Sequence, residues 1–411
     1  MNVGTNWAGN YTFGAGKVHS PSSLDELRAL VASTPRIRAL GTRHSFNDLA
    51  DTDGDLVTLV GLEPRATIDR ERMTVTASAG TRYGELAVWL QREGYALHNM
   101  GSLPHISLSG AISTSTHGSG NSNGTLATAV AGLEFVTGGG ELLRVDRDHP
   151  QFDGYVVGLG AFGIITRVTL DIQPTFDLRQ DLYIGLPWDV ALEQFEQISG
   201  CGYSVSLFSD WLGDEIGGLL VKTRLEAGKP RSMPPTLFGA RIVTDVPDER
   251  DNWTDRNGNP GPWSARLPHF RLESTPSNGE EIQSEFFVDR RDARAALTAV
   301  RELGDQIAPH LIATELRTTA ADDLWLSMAN GRASLAIHFT WKSHPQAVPA
   351  LLPQIEAALE PFDYRPHWGK TFSVEQIGDR YARFEDFRAL AERHDPSHQF
   401  RNAYLERVLG L

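Results

Sequence analysis

The chain has 411 residues, with 38 Lys plus Arg against 52 Asp plus Glu and a formal charge of −14. That length implies two or three domains and a sizeable core, and an acidic chain without a Lys/Arg cluster excludes nucleic acid and anionic membrane as main partners. One cysteine, Cys201, excludes an internal disulfide, a four-cysteine zinc site and an iron–sulfur cluster. No run approaches the ~20 apolar residues of a membrane span, and residues 1–13 lack a basic stretch followed by an apolar one. The expectation is a soluble, cytoplasmic enzyme.

In chain order, Ser23-Leu24-Asp25-Glu26 reads as a capping box, and Leu24, Leu27, Leu30 and Val31 follow at helical spacing. Pro35 ends that helix. Residues 36–40 alternate like a short strand, with Ile37 and Ala39 on one face and the arginines on the other. The polar loop 41–47 comes next. Residues 56–60 and 73–79 are β-rich, and Tyr83, Leu86 and Leu90 predict a second amphipathic helix with Gly94 after its last turn. Residues 99–124 carry small hydroxyl side chains and glycines, few large apolar groups and no charges. Such a backbone can approach a large flat or phosphorylated ligand closely. Strands are predicted over 133–136, 142–145 and 164–172.

From Pro174 the pattern changes. Strands are predicted at 181–184, 203–208, 218–222, 282–288, 311–317 and 334–341, with a polar loop at 248–262. Helical stretches cover 292–304 and 347–359, so a second α+β unit is expected. Residues 384–411 read as helical and then polar.

Three motif matches fail on context. Gly158 to Gly163 spells G-x-G-x-x-G, but a β-branched alternating run follows where a dinucleotide fingerprint needs a helix. Gly369-Lys370-Thr371 resembles the end of a P-loop, yet Tyr364 stands where its first glycine should be. Only His394 and His398 among the thirteen histidines have helical spacing, and Pro396 lies between them, so no metal is expected.

Three segments taken together are more specific: Gly41-Thr42-Arg43-His44-Ser45-Phe46-Asn47; Leu103-Pro104-His105-Ile106-Ser107 with 113–120; and Pro366-His367-Trp368-Gly369-Lys370. Trp263, Leu267-Pro268-His269-Phe270-Arg271, Gln283-Ser284-Glu285 and Glu315-Leu316-Arg317-Thr318 extend the ordered set. The chain resembles, nearly end to end, the vanillyl-alcohol-oxidase-type (PCMH-type) FAD flavoproteins, in the sugar-alcohol branch of alditol (xylitol) oxidases, with aldonolactone oxidases as cousins.

That resemblance implies an α+β fold. An FAD-binding domain would span 1–175, completed by 376–411, and a substrate domain would span 176–375. It implies FAD bound by Gly41, Thr42, Arg43, His44, Ser45, Phe46 and Asn47, and by Ser102, Ser107, Gly110, Thr114, Ser115, Thr116, His117 and Gly118. Gly163, Ile165, Lys370 and Asn402 complete that set. His44 stands at the position of the linking histidine, so an 8α-histidyl bond is expected; the alternative is a hydrogen bond only. His117 would lie near the pyrophosphate. Arg317 and Lys370 would be cations near the reacting hydroxyl, and His338 would accept its proton. Ser102, Gln283, Glu315, Arg317 and Thr340 would line the polyol. The bland readings are an ion pair within one strand for Glu315 and Arg317, and a bonded core histidine for His338. The implied activity is oxidation of the terminal CH–OH of alditols of the xylitol and sorbitol class to the aldose. Hydride would pass to flavin N5 and dioxygen would become hydrogen peroxide. A monomer acting on a neutral polyol and dioxygen is expected, and the alternative is an aldonolactone oxidase or dehydrogenase.

Overall fold

A computed structural model describes residues 3–226, 232–246, 252–274 and 280–411. Helix Leu24–Ser33 starts where the Ser23 hydroxyl accepts from the Glu26 N–H at 3.2 Å. The other half of the box moves back one residue: the Glu26 carboxylate accepts from the Ser22 N–H at 2.8 Å. Strand Ile37–Ala39 follows, and its alternation is not the expected one. Arg38 is 4% exposed, its guanidinium donating to the carbonyls of Phe400, Leu49 and Leu159, while Ala39 faces out. Three carbonyls compensate a charge that burial alone would expel. This strand, Asp55–Val57 and Lys17–His19 form a small parallel sheet with 55–57 in the middle.

A five-stranded antiparallel sheet comes next, in the order Ala66–Asp69, Thr74–Ser78, Ile164–Asp171, Val130–Val136, Leu142–Asp146. Helix Tyr83–Arg92 buries Tyr83, Leu86 and Leu90 against the same core, and Gly94 turns away from it at φ +84°. The glycine run near 160 does feed a strand. A Cβ on Gly163 would stand 2.4 Å from the Val136 carbonyl oxygen. Inside 99–124, whose composition suggests loop throughout, Leu108–Ser113 is a helix that buries Leu108, Ala111 and Ile112. The tail closes this core with two helices, Phe384–His394 and Ala403–Leu409, which contribute Phe387, Leu390, Tyr404, Leu405 and Val408.

A second, ten-stranded antiparallel sheet is centred on Ser204–Ser209, Leu311–Thr319, Ser334–Lys342 and Glu281–Asp289, neighbours in that order. One face is apolar: Val205, Leu207, Leu316, Ile337, Phe339, Ile282, Phe286 and Val288 pack on helices Ala293–Arg301 and Ala347–Leu359. The other face is largely polar. Two of its apolar members, Phe287 and Ala336, belong to the first core, so this part of the face is turned toward the five-stranded unit. The loop expected at 248–262 lies partly outside the described residues. Among those described, no helix is long and apolar enough to cross a membrane.

Candidate active site

Three neighbouring strands put their chemistry on one face. Backbone register pairs Glu285 with His338, His338 with Glu315, Gln283 with Thr340, and Arg317 with Ala336. Side chains alternate, so Glu281, Gln283, Glu285, Glu315, Arg317, His338 and Thr340 share that face. All but Thr340 are 8% exposed or less. Burying so many polar groups is unfavourable unless each is partnered, and their partners show how the site is wired.

Arg317 is the hub. Its Nη2 donates to Glu285 Oε1 at 2.7 Å, its Nη1 to Ser102 Oγ at 3.2 Å, and its Nε lies 3.7 Å from Glu315 Oε2. Burial works against its charge, but Glu315 and Glu285 outweigh burial and raise its pKa. Glu285 also receives His117 Nε2 at 3.0 Å. Burial opposes the Glu285 carboxylate as well, yet His117 and Arg317 hold it well below the usual range. Glu285 therefore stays anionic under the site, where it fixes the guanidinium. In the sequence Glu285 stands only as the end of the motif Gln283-Ser284-Glu285, with no role implied. Its spacing, two residues after Gln283 on a strand, was the signal available.

His117, expected near a pyrophosphate, has its ring engaged within the protein. It is 2% exposed, its Nδ1 is 2.8 Å from the Gly118 carbonyl, and its ring meets Phe287 edge-on at 4.9 Å. Both ring nitrogens are engaged by the protein.

Lys370 reaches the opposite end of the face. Its Nζ contacts Gln283 Oε1 and lies 3.5 Å from His338 Nε2 and 5.2 Å from the Phe46 ring centre. Burial and, after the opposing pull of Glu285, the like charge of Arg317 lower its pKa to about 8. His338 Nε2 is also 3.2 Å from Gln283 Oε1, and burial followed by Lys370 lowers the His338 pKa to about 3. The imidazole is neutral, as a proton acceptor requires, but weakly basic. It can take a proton at Nε2 only in the tautomer that carries hydrogen on Nδ1.

The loop 41–47 meets this cluster from the other unit. Phe46 N–H donates to Gly369 O at 2.8 Å, and Asn47 Nδ2 donates to Trp368 O and Lys370 O, both at 2.8 Å. Trp368 is fully buried against Tyr381 and donates to Leu326 O, so it packs and positions Lys370. Both ring nitrogens of His44 are buried without a hydrogen-bond partner, and the ring stacks on Trp7 at 5.3 Å. Burial first, then His105, lowers the His44 pKa to about 4, so it is a neutral imidazole with a free lone pair. Ser107 Oγ is likewise buried and unpartnered. It sits where a Cβ on Gly41 or on Gly110 would come within 2.8 or 2.9 Å. Among the described residues, the backbone N–H groups of 41–45 have no protein acceptor, and Arg43 takes φ +63°, which turns successive amides into a concave anion-binding surface. Orphaned imidazole nitrogens, an orphaned hydroxyl and unpaired amides are the donor set a flavin dinucleotide fits.

The remaining positions fall into two groups. Thr42 Oγ1 accepts from the Ser107 N–H at 3.2 Å, which ties loop 41–47 to the 107–118 segment, and Thr114 Oγ1 bonds Gly110 O and Thr116 Oγ1, both at 3.0 Å, within that segment. A Cβ on Gly118 would lie 2.4 Å from Met100 O. Arg43, in contrast, sends its guanidinium to Val3 O at 2.7 Å. Ser115 bonds Ser327 at 3.1 Å, and Ile165 lies in the first core. Asn402 caps the last helix and donates to the carbonyls of Asp48, Leu49 and Asp51.

Residues 16–146 match the FAD binding domain family, and residues 276–408 match the D-arabinono-1,4-lactone oxidase family. An alditol oxidase of Streptomyces sp. (strain IKD472 / FERM P-14339) is 43% identical over 413 residues, covering 98% of both chains. An L-gulono-1,4-lactone dehydrogenase of Mycobacterium tuberculosis (strain ATCC 25618 / H37Rv) is 28% identical, covering 99% of both. A solved structure of a solvent-stable cholesterol oxidase superposes with a TM-score of 0.81 over 98% of this chain and 96% of that one, at 16% identity. That likeness speaks for the fold alone.

Proposed function

The chain belongs to the alditol oxidase family of FAD-binding oxidoreductases, and from that premise we propose that it oxidises the terminal CH–OH of an open-chain polyol to the aldose, dioxygen becoming hydrogen peroxide. The observation that supports this reading best is the buried polar face of the larger sheet. Gln283, Glu315 and Thr340, with Ser102 joined to them through Arg317, offer donors and acceptors to a row of hydroxyls. FAD, when bound, supplies the hydride acceptor.

The chain's own residues do the rest. Arg317, fixed by Glu285 and Ser102, and Lys370, fixed through its segment by Asn47, bring two cations to the reacting hydroxyl and favour its alkoxide form. The proton passes to His338 Nε2 or to solvent. Because His338 is a weak base, those two cations must lower the hydroxyl's own pKa for the transfer to succeed. FAD would be held by the amides of 41–45, by Ser107 and by the small residues of 110–118, with His44 as its covalent attachment. In our reading the cofactor domain comprises 1–175 with 376–411, and the substrate domain 176–375. The shared core of the five-stranded sheet and the tail helices supports that division.

A lactone oxidase or dehydrogenase is the second reading, favoured by the family match over 276–408 and by the L-gulono-1,4-lactone dehydrogenase relative. Anaerobic bleaching of the yellow protein across xylitol, sorbitol and gulonolactone decides between them. We expect bleaching by the polyols. Response to the lactone alone overturns the polyol reading, and a protein without yellow colour after expression with ample flavin overturns both.

A further inference from the structure

Behind Glu315 lies a second buried cluster that the reaction as described does not use. Lys222, on strand Gly218–Arg224, is 2% exposed. Its Nζ contacts the Leu267 carbonyl and lies 3.2 Å from His269 Nδ1. His269 is 5% exposed, and its Nε2 is 2.7 Å from Glu315 Oε1. The same segment also holds Ser102: the N–H groups of His269 and Phe270 both donate to the Ser102 carbonyl, at 3.1 and 3.2 Å.

We propose that Lys222 and His269 are a positioning pair for the polyol site. In this arrangement they commit Glu315 Oε1 to the protein and leave Oε2, beside Arg317, for a substrate hydroxyl. The inference rests on the polyol reading above and deepens it.

Donor and acceptor roles fix the direction of the chain. A lysine nitrogen can only donate to the Leu267 carbonyl, and an ammonium can only donate to His269 Nδ1. A neutral amine has two N–H bonds but could also accept from Nδ1; ionised Glu315 Oε1, 2.7 Å from Nε2, can only accept, so the pattern survives the lowering of the Lys222 pKa to about 7 by burial. With Nδ1 accepting, the His269 proton must be on Nε2, where it donates to Glu315. Burial, then Lys222, lowers the His269 pKa and keeps the ring neutral. Trp253 stacks on the ring at 5.6 Å and Phe208 covers it at 5.9 Å, which locks its plane. Glu315 stays ionised despite burial because Arg317 and His269 outweigh it. One carboxylate oxygen is thus held by a directed donor; among the described residues the other is met by Arg317 Nε at 3.7 Å, a nitrogen that has no hydrogen-bond partner there. A hydroxyl accepted there would complete the carboxylate's set of partners.

The test uses holoenzyme. His269→Phe keeps the backbone bonds to Ser102 and removes the ring's donor to Glu315 together with its acceptor for Lys222. Loss of a hydrogen bond to a charged group should raise KM for xylitol about 10- to 100-fold, with a smaller change in kcat. Binding of xylitol to photoreduced enzyme, measured by calorimetry, should weaken in parallel. His269→Gln restores a side-chain N–H and should recover part of the affinity. Unchanged KM and Kd in His269→Phe, or no advantage of Gln over Phe, overturns the pairing. Should His269→Phe fail to fold, ring 15N NMR decides. Wild type should carry the His269 proton on Nε2, and Lys222→Met should shift the Nδ1 resonance as its donor is lost. A wild-type proton on Nδ1 overturns the proposal. A wild-type enzyme that binds no polyol overturns the functional reading and the destination assigned to Oε2, while the Nδ1 resonance still decides whether Lys222 donates to His269.

Discussion

A histidine with two buried, unbonded ring nitrogens stores free energy that a ligand can recover, since each unsatisfied buried group costs about 1–3 kcal/mol. His44 is that residue, and a covalent bond to FAD would use its free lone pair. Protein precipitated in acid should stay yellow, and His44→Ala should release its flavin to the supernatant. Colour lost from the wild-type pellet would leave His44 as a hydrogen-bonding neighbour only. Lys370 gives the second prediction at this scale. Its pKa of about 8 means that the cation is present below that pH and disappears above it. If the charge assists the reacting hydroxyl, kcat/KM should fall as pH rises through about 8. Lys370→Arg should carry the falling limb to higher pH at a lower maximal rate. A limb that stays at the same pH in the arginine variant belongs to another group, such as Lys222 or Asp322, both at about 7. The cationic and imidazole residues of the site could be named from motifs. Glu285 could not be given a role, because its function consists of contacts with Arg317 and His117, which come from two other segments.

Among the elements, the short terminal helix Ala403–Leu409 shows how a cap can hold a domain together. Asn402 Oδ1 accepts from the Leu405 N–H at 3.0 Å, while its Nδ2 donates to three carbonyls of 48–51. Asn402→Ala removes the cap and strands those buried carbonyls, and should destabilise the protein by about 2–3 kcal/mol. A lowered melting temperature with flavin retained at room temperature is the expected result. Flavin loss at unchanged melting temperature would make Asn402 a cofactor ligand in its own right. This helix and Leu108–Ser113 are both legible in the sequence. Tyr404, Leu405 and Val408, bounded by Asn402 and by Gly410 at φ +68°, carry helical spacing and end signals. Leu108, Ala111 and Ile112 do the same within a polar run. Composition masked periodicity in each case. Arg38 failed for a different reason: alternation predicts which way a side chain points, but whether that direction leads to water depends on what packs there.

For the whole molecule, the charge of −14 stands against a site that gathers Lys222, Arg317 and Lys370 beside Glu281, Glu285 and Glu315. These basic groups facing three carboxylates leave little net field for a distant solute to feel. A neutral polyol gains nothing from steering in any case. Its kcat/KM should change by less than about twofold between about 20 and 300 mM salt. A strong salt dependence would mean that the true substrate is charged. The amino-acid order alone determined the α+β class, most strands and helices, the glycine loops and the cationic residues, because each is written in local spacing, end signals and short motifs. Only the tertiary structure decided that His117 serves Glu285, that Arg43 turns away to the N-terminal segment, and that Lys222 and His269 stand behind Glu315. A side chain's partner is set by which distant strands lie side by side, and strand register is a property of the folded sheet.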